Sequence, residues 1–216
     1  MPKTQEIRSL LKHLDEAYPN TEPQLRHRNA FELLISIILS AQCTDARVNI
    51  VTQSLFPKDE PATPEYILKL GEDEVRHIIY PTGYFNSKTK AVMGTAAALL
   101  GKEIPSDIES LTKLPGVGRK TAQVLQSQWF HIPALPVDTH VHRVANRLGL
   151  AKSGGNRDKT ERQLKAVIPQ SEWSKFHLQL IYHGRAICTA YKPKCLSCPV
   201  YTNCKWPNKM KQKTHN

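Results

Sequence analysis

The sequence predicts an all-α protein built from short helices. Apolar residues recur at helical spacing along most of the chain, beginning with Ile7, Leu10, Leu11 and Leu14, which follow the i, i+3, i+4, i+7 rule. No segment alternates with a period of two, and no Asn-Gly or Asp-Gly pair marks a β-hairpin. These patterns argue against a sheet as the core of the fold.

The caps and apolar faces place the helices in order. Pro19-Asn20 ends the first helix, and Asn29 is the candidate N-cap of the second, with Glu32 as its partner in a capping box. The second helix is almost continuously apolar, which predicts deep burial. Thr44-Asp45 begins the third helix, and Thr63-Pro64 is typical of an N-cap followed by proline at the first helical position. Further helices are predicted over 73–80, 87–101, 107–113, 119–130, 139–148, 157–168 and 172–187.

The charge balance indicates a polyanionic partner. The 216 residues include 30 Lys and Arg against 19 Asp and Glu, a formal charge of +11, which favours nucleic acid over a membrane surface. Solubility alone is the other explanation of this charge. No apolar run is long enough to span a membrane, and the polar residues 1–6 are unlike a signal or transit peptide. We therefore expect an intracellular protein without a membrane segment.

A glycine turn that opens a helix is the first candidate binding site. Gly116 and Gly118 leave room for a polyanion to approach the main chain, and the amides at the start of the next helix favour a phosphate. A plain helix–helix turn is the alternative, because short Gly-x-Gly motifs are weak. Pro115 before the turn and Arg119-Lys120 after it favour phosphate.

Lys120 and Asp138 are the candidate catalytic residues. An amine nucleophile must be neutral, and both a helix N-terminus and the neighbouring Arg119 disfavour a charged amine, as in lysines that form Schiff bases. A solvated lysine that contacts phosphate is the alternative. Asp138 precedes a helix that begins at Thr139, where an aspartate is commonly an N-cap. The two roles are compatible, because a capping bond would hold the carboxylate rigidly.

Four of the five cysteines form a metal-binding pattern. Cys188, Cys195, Cys198 and Cys204 have the spacing Cys-x6-Cys-x2-Cys-x5-Cys, so four thiolates can surround one centre. Four thiolates suit zinc as well as a cubane iron–sulfur cluster, and the spacing leaves this choice open. Cys43 stands apart at an apolar helix end and is interpreted as a small buried hydrophobe.

Basic residues surround this pattern. Lys192 and Lys194 lie in its first loop, where they either offset the negative charge of a thiolate centre or contact the DNA backbone. Residues 205–216 contain four lysines and no acid. We interpret them as a frayed basic end, with phosphate contact as the lesser alternative.

Together these motifs resemble the endonuclease III family of DNA glycosylases. The helix–hairpin–helix signature corresponds to residues 108–128, and the segment around Asp138 and His140 matches the family's catalytic aspartate region. The cysteine spacing matches the family's four-iron–four-sulfur cluster, one per chain, which the resemblance favours over zinc. Residues 40–45 and 83–88 look like the family's two DNA-probing segments.

The resemblance implies two helical lobes that flank a DNA-binding groove. Residues 23–133 would form a six-helix domain that contains the hairpin motif. Residues 1–22 would join residues 134–216 in an iron–sulfur cluster domain with its cluster loop at 188–204. The implied protein is a monomer that acts on double-stranded DNA containing damaged bases or abasic sites, in the cytoplasm at the nucleoid.

The resemblance also implies base excision repair of oxidised or ring-damaged pyrimidines. Lys120 would attack the sugar carbon of an extruded nucleotide and displace the base, Asp138 would assist by proton handling or charge stabilisation, and β-elimination from the Schiff base would cut the strand. Gln42 would fill the vacated gap. Tyr84 stands where the family often has a leucine wedge, and an aromatic ring can stack there. His140 matches a DNA contact, with a structural histidine as the alternative.

Two other functions compete with this one. Adenine- and thymine-mismatch glycosylases of the same superfamily usually lack a lysine at the position of Lys120, and the adenine-specific ones carry a further C-terminal domain, whereas this sequence ends soon after Cys204. A catalytically inert DNA-binding module would need only the hairpin and the basic charge. The presence of Lys120 together with Asp138 argues against that module.

Overall fold

The chain is all helical, as the sequence predicts. The computed structural model describes residues 4–209, and within them it has eleven α-helices and no strand. Residues 210–216, the end of the predicted basic tail, lie outside the described residues. Over the described range no helix is long and apolar enough to cross a membrane.

The helix bounds follow the sequence pattern closely. In chain order the helices are α1 (Thr4–Ala17), α2 (Ala30–Leu39), α3 (Asp45–Leu55), α4 (Pro64–Leu70), α5 (Glu72–Ile79), α6 (Phe85–Leu99), α7 (Ile108–Leu111), α8 (Arg119–Gln128), α9 (Thr139–Leu148), α10 (Arg157–Lys165) and α11 (Trp173–Ala186). Short 3₁₀ turns occur at Tyr80–Thr82, Gln170–Glu172 and Cys195–Ser197. The main difference is α7, which is a single turn instead of the predicted 107–113.

The helices divide into two compact units. The first, Pro23–Ile132, contains α2 to α8 and is called the hairpin unit below. The second combines Met1–Glu22 with Pro133–Asn216 and is called the cysteine unit. Each unit has its own cluster of buried apolar side chains.

Helix α2 forms the centre of the hairpin unit. Every residue from Phe31 to Leu39 is buried, and α2 packs against α3, α6 and α8. A helix that is apolar on all sides must be surrounded by other helices. The continuous apolar run therefore predicts its position correctly.

The predicted capping box of α2 forms only in part. Oδ1 of Asn29 accepts the N–H of Glu32 at 2.8 Å, as predicted. The carboxylate of Glu32, however, accepts the N–H groups of Arg28 at 2.7 Å and Ala62 at 2.9 Å, and it pairs with the Arg28 guanidinium. Burial acts to raise the pKa of Glu32, and these donors outweigh burial and lower it. This carboxylate therefore ties α2 to the loop before α4.

The N-terminal helix belongs to the cysteine unit. Leu10 and Leu14 of α1 share a buried cluster with Phe176 and Leu180 of α11. Polar contacts add to this packing: Asp15 accepts from Gln179 at 2.8 Å and pairs with Lys175 at 2.5 Å, and His13 bonds Asn203 at 2.8 Å. Residues at opposite ends of the sequence thus form one core.

At Gly116 the hairpin turn packs closely against α6. Its φ is +74°, and a Cβ at this position would lie 2.5 Å from the Cβ of Ala91. The next carbonyl toward the N-terminus, that of Pro115, accepts the hydroxyl of Thr95 at 2.7 Å. Only glycine satisfies both the backbone conformation and the space.

Gly116→Ala should therefore destabilise the protein by about 3 kcal/mol, because left-handed strain adds to overpacking. Urea denaturation measures the loss. Gly118→Ala is the matched control, since its φ is −85° and an added Cβ meets nothing within 4 Å; its effect should stay within ~1 kcal/mol. Equal losses for the two variants would contradict the role assigned to the Gly116 contact.

Candidate active site and metal centre

The hairpin turn combines an apolar anchor with an exposed main chain. Leu114 and Val117 are buried, and the N–H of Val117 donates to the carbonyl of Leu114 at 3.1 Å. Gly116 and Gly118 stay exposed between and after these anchors. The main chain of the turn is therefore accessible to a ligand at the two glycines, where no side chain covers it.

The helix that carries Lys120 begins without a side-chain cap. The N-cap residue of α8 is Gly118, which has no side chain to accept hydrogen bonds from the first helical N–H groups. Arg119 and Lys120 occupy the exposed first turn. Within residues 4–209, no hydrogen bond or ion pair engages the Lys120 amine. The positive end of α8 is thus open to an anion, beside an accessible amine.

The two candidate DNA-probing residues share an unusual backbone conformation. Gln42 has φ 53° and Tyr84 has φ 50°, and both side chains are exposed. Among the described residues, His131 is the only other non-glycine with a positive φ. Such conformations cost about 1–3 kcal/mol and cluster at functional sites. The sequence predicts these residues as DNA contacts but carries no signal for the strain.

A buried lysine supports the Tyr84 turn. Lys88 is only 4% exposed, and its Nζ donates to the carbonyl of Thr82 at 2.9 Å. Burial lowers the pKa of Lys88, and the nearby Cys43 thiol opposes this effect. Cys43 itself is half-buried and packs against the apolar core of the hairpin unit, in keeping with its interpretation as a small hydrophobe. The sequence itself gives no sign of this role for Lys88.

Asp138 caps α9 as predicted. Its Oδ1 accepts the N–H of Val141 at 2.8 Å, and the residue is half-buried. The capping bond fixes the side-chain rotamer at the helix start. A carboxylate is therefore held in one orientation at the N-terminus of this helix.

His140 and Arg143 connect this helix to the end of α11. Burial lowers the pKa of His140; the charge of Asp138 opposes this shift, and that of Arg143 adds to it. Nδ1 of His140 lies 3.2 Å from Nη2 of Arg143, and a backbone hydrogen bond with Gly184 also opposes the lowering of the His140 pKa. Arg143 also donates to the carbonyls of Cys188 at 3.0 Å and Gly184 at 2.8 Å.

Arg147 anchors the start of the cysteine loop. Its guanidinium donates to the carbonyls of Thr189 at 2.7 Å and Ala190 at 3.0 Å and to Sγ of Cys188 at 3.3 Å. It lies 4.2 Å from the ring centroid of Trp206. Arg147 was not among the residues predicted from the sequence. The only available signal was the i, i+4 spacing of two arginines on the helix that follows Asp138.

All four cysteines of the predicted quartet line one cavity. Cys188, Cys195, Cys198 and Cys204 are half-buried free thiols, and Val144, Leu148, Ile187 and Val200 complete the apolar part of the wall. Throughout the described range, no three His, Cys, Asp or Glu side chains converge closely enough to hold a single metal ion.

The electrostatics of the cavity favour a cationic centre. Burial, together with the charges of the neighbouring cysteines, raises the pKa of the Cys198 thiol to about 11, against a backbone hydrogen bond at Val200 that lowers it. Burial likewise raises the pKa of Cys195, against which the charges of Arg147 and Lys209 act. Four thiolates are therefore unfavourable together without positive charge among them.

Two further side chains reach the quartet from other parts of the chain. The Tyr18 hydroxyl lies 3.0 Å from Nδ1 of His183, and Nε2 of His183 lies 3.7 Å from Sγ of Cys198. Burial lowers the pKa of His183 to about 4 and raises that of Tyr18 to about 12, with Cys198 and Cys188 adding to the Tyr18 shift. Neither Tyr18 nor His183 is marked by a local pattern in the sequence.

The first cysteine loop is basic and exposed at its tip. Tyr191 is 95% exposed, and Lys192 and Lys194 are exposed beside it. The N–H of Lys194 donates to the carbonyl of Ile187 at 2.9 Å and closes the loop. The structure thus brings the two lysines together on one loop of the cysteine unit, while Lys120 and the glycine turn lie in the hairpin unit.

Comparison with known proteins places this geometry in a family. Residues 35–170 match the HhH-GPD superfamily of base excision DNA repair proteins. The endonuclease III of Rickettsia conorii is 42% identical over 205 residues, which cover 94% of this chain and 96% of that protein.

Two solved structures match this chain over nearly its whole length. A non-covalent endonuclease III–DNA complex is 40% identical, covers 99% of both chains and has a TM-score of 0.89. A trapped endonuclease III–DNA covalent intermediate, an estranged-adenine complex, matches with the same identity and TM-score and covers 99% of this chain.

Proposed function

The chain belongs to the endonuclease III family, within the HhH-GPD superfamily of base excision DNA repair proteins, and we propose the residues that perform its chemistry. It is a bifunctional DNA glycosylase and AP lyase of base excision repair. Its proposed substrates are oxidised or ring-damaged pyrimidines and abasic sites in double-stranded DNA. The proposed form is a monomer that acts on nucleoid DNA in the cytoplasm.

Lys120 is the proposed nucleophile. The observation that carries this proposal is an exposed lysine at the uncapped start of α8, in a chain 40% identical to an endonuclease III trapped covalently on DNA. The neutral amine attacks the anomeric carbon of the damaged nucleotide, forming a C–N bond as the bond to the base breaks. Opening of the sugar gives a Schiff base. Loss of a proton from the adjacent carbon then expels the 3′ phosphate by β-elimination.

Asp138 is the proposed acidic partner. Its capping bond to Val141 fixes the carboxylate, and partial burial strengthens its interaction with positive charge. The proposed role is to stabilise the positive charge that develops on the sugar as the base departs and to accept a proton from the attacking amine. Both roles require the ionised form.

The proposed DNA contacts divide by chemistry. Backbone amides at Gly116 and Gly118, with Arg119, bind phosphates of the damaged strand, and such contacts position DNA without reading its sequence. His140 contacts the DNA backbone, and Lys192 and Lys194 bind further phosphates. Gln42 and Tyr84 are proposed to enter the base stack, where Gln42 fills the space of the extruded nucleotide and Tyr84 acts as the wedge.

The cysteine quartet fits a [4Fe–4S] cluster, which we propose as the cofactor. Four cysteines that line one cavity can reach a single centre; four thiolates suit zinc as well, and the resemblance to the endonuclease III family favours the cluster. Four cysteine thiolates are the donor set of a cubane cluster. Once bound, such a cluster holds the cysteine loop in place and can exchange one electron. Arg147 holds the Cys188 end of that loop with four hydrogen bonds.

Borohydride trapping tests the nucleophile. Wild-type protein mixed with abasic-site duplex and borohydride should form a covalent adduct, and Lys120→Ala should reduce it at least about 100-fold because no other group supplies the Schiff base. Denaturing gels measure the adduct. Lys113→Ala is the matched control, since Lys113 is an exposed lysine of the same motif that pairs with Glu109. Wild type without an adduct, but with release of undamaged mispaired bases, would contradict the lyase and indicate a mismatch glycosylase.

Two substitutions at Asp138 separate capping from chemistry. Asp138→Asn keeps a good N-cap but loses the charge, so base release should fall by about 100-fold or more while the free energy of unfolding stays within ~0.5 kcal/mol. Asp138→Ala should lose both activity and about 1 kcal/mol of stability. Single-turnover base release and urea denaturation measure the two effects. Near-normal base release by a stable Asp138→Asn protein would exclude the catalytic role.

Iron analysis tests the cofactor. The purified protein should be yellow-brown with about four iron per chain, and Cys195→Ser should lose iron and unfold the cysteine unit at lower urea concentration. Cys43→Ser is the control, because Cys43 lies in the hairpin unit and should keep full iron content. A colourless, active protein that contains zinc would overturn the assignment.

A further inference from the structure

Three side chains, those of Tyr18, His183 and Cys198, form a chain of two polar contacts that ends on the cysteine sulfur. Tyr18 follows α1, His183 lies on α11 and Cys198 follows the 3₁₀ turn Cys195–Ser197. The Tyr18 hydroxyl is 3.0 Å from Nδ1 of His183, and Nε2 on the opposite side of that ring is 3.7 Å from Sγ of Cys198. Both ring nitrogens of the histidine therefore have a polar partner.

The geometry holds the imidazole in this position. His183 is 1% exposed, and its ring meets the Tyr18 ring edge-on, at 78° between planes and 5.9 Å between centroids. Its own carbonyl accepts the N–H of Cys188 at 2.8 Å. The backbone of His183 is thus bonded to one cysteine of the quartet, and its side chain to another.

The proton positions follow from what each partner can do. A metal-bound thiolate accepts hydrogen bonds and cannot donate, so Nε2 of His183 must carry the ring proton. A neutral imidazole has one donor and one acceptor, so Nδ1 must then accept, and the Tyr18 hydroxyl must donate to it. Each hydrogen bond in this chain of contacts therefore points toward the sulfur.

We propose that Tyr18 and His183 form a hydrogen-bond relay that tunes the cysteine centre through Cys198. The relay rests on the cluster proposed above. A donor at a ligand sulfur withdraws electron density and stabilises the state with more negative charge. The relay therefore raises the reduction potential of the bound cluster, and Tyr18 acts by fixing the tautomer that His183 requires. Both are positioning residues that touch no substrate.

The test measures the reduction potential of cluster-loaded protein in four variants. His183→Leu removes the donor and should shift the potential to more negative values. His183→Gln places an amide N–H near the position of Nε2 and should restore most of the wild-type potential. Tyr18→Phe should shift the potential in the same direction as His183→Leu but less, because the ring remains while its tautomer is no longer fixed. Tyr182→Phe is the matched control, since its hydroxyl donates to the Glu22 carbonyl.

A spectroscopic readout makes the test independent of stability. Resonance Raman bands of the Fe–S(Cys) stretches should shift between H₂O and D₂O in the wild type, because an exchangeable proton bonds a ligand sulfur, and this shift should shrink in His183→Leu. If that variant loses its iron, Tyr18→Phe decides the question, since it keeps the imidazole and every cysteine.

The outcomes separate the relay from the cluster on which it rests. Wild-type potentials in iron-loaded Tyr18→Phe and His183→Leu would overturn the relay and leave the cluster intact. An effect of His183→Leu without any effect of Tyr18→Phe would also overturn it, because the tyrosine would have no part. Wild-type protein without iron would overturn the cluster and the relay together, while adduct formation through Lys120 would be unaffected.

Discussion

The structure depends on how it satisfies the N–H groups that every helix leaves open at its start. Side chains cap α2, α3, α4 and α7, through Asn29, Thr44, Thr63 and Asp107. The N-cap residues of α6 and α8 are Tyr84 and Gly118, and neither of them supplies a side-chain cap. Within the hairpin unit, these are the helices whose N-terminal residues are proposed to meet DNA. In the hairpin unit, capped helices form the scaffold, and two of the uncapped helix starts form its proposed binding surface.

Hydrogen-bond donors from α9 and α11 surround the cysteine quartet. Arg147 donates to Sγ of Cys188, and Nε2 of His183 lies within reach of Sγ of Cys198. The carbonyls of the same loop are held by Arg143 and Arg147. Helix α9 thus carries the capping carboxylate of Asp138 at its start and two arginines that hold the loop farther along. A shift of that loop would act on the same helix that orients the carboxylate.

Local signals in the sequence predict most of the helices and several site residues. The spacing of apolar residues and the caps at Asn29 and Asp138 depend on neighbours within four positions, which a sequence displays directly. The contacts of Arg147 with residues 188–190 and of Tyr18 with His183 join positions far apart in the chain. Neither end of such a contact has a local pattern. The left-handed conformations of Gln42 and Tyr84 also have no signal in the sequence, because glycine, the usual indicator of positive φ, is absent at these positions.

The composition of the cysteine unit has a consequence for how the chain matures. Helix α1 is synthesised long before its partners Phe176, Leu180 and Asn203. The hairpin unit is continuous in sequence and can complete its core as soon as Ile132 leaves the ribosome. The apolar face of α1 must wait through that interval, exposed to water and to chaperones. Among the described helices, α1 is therefore made before the others yet is among the last to be packed.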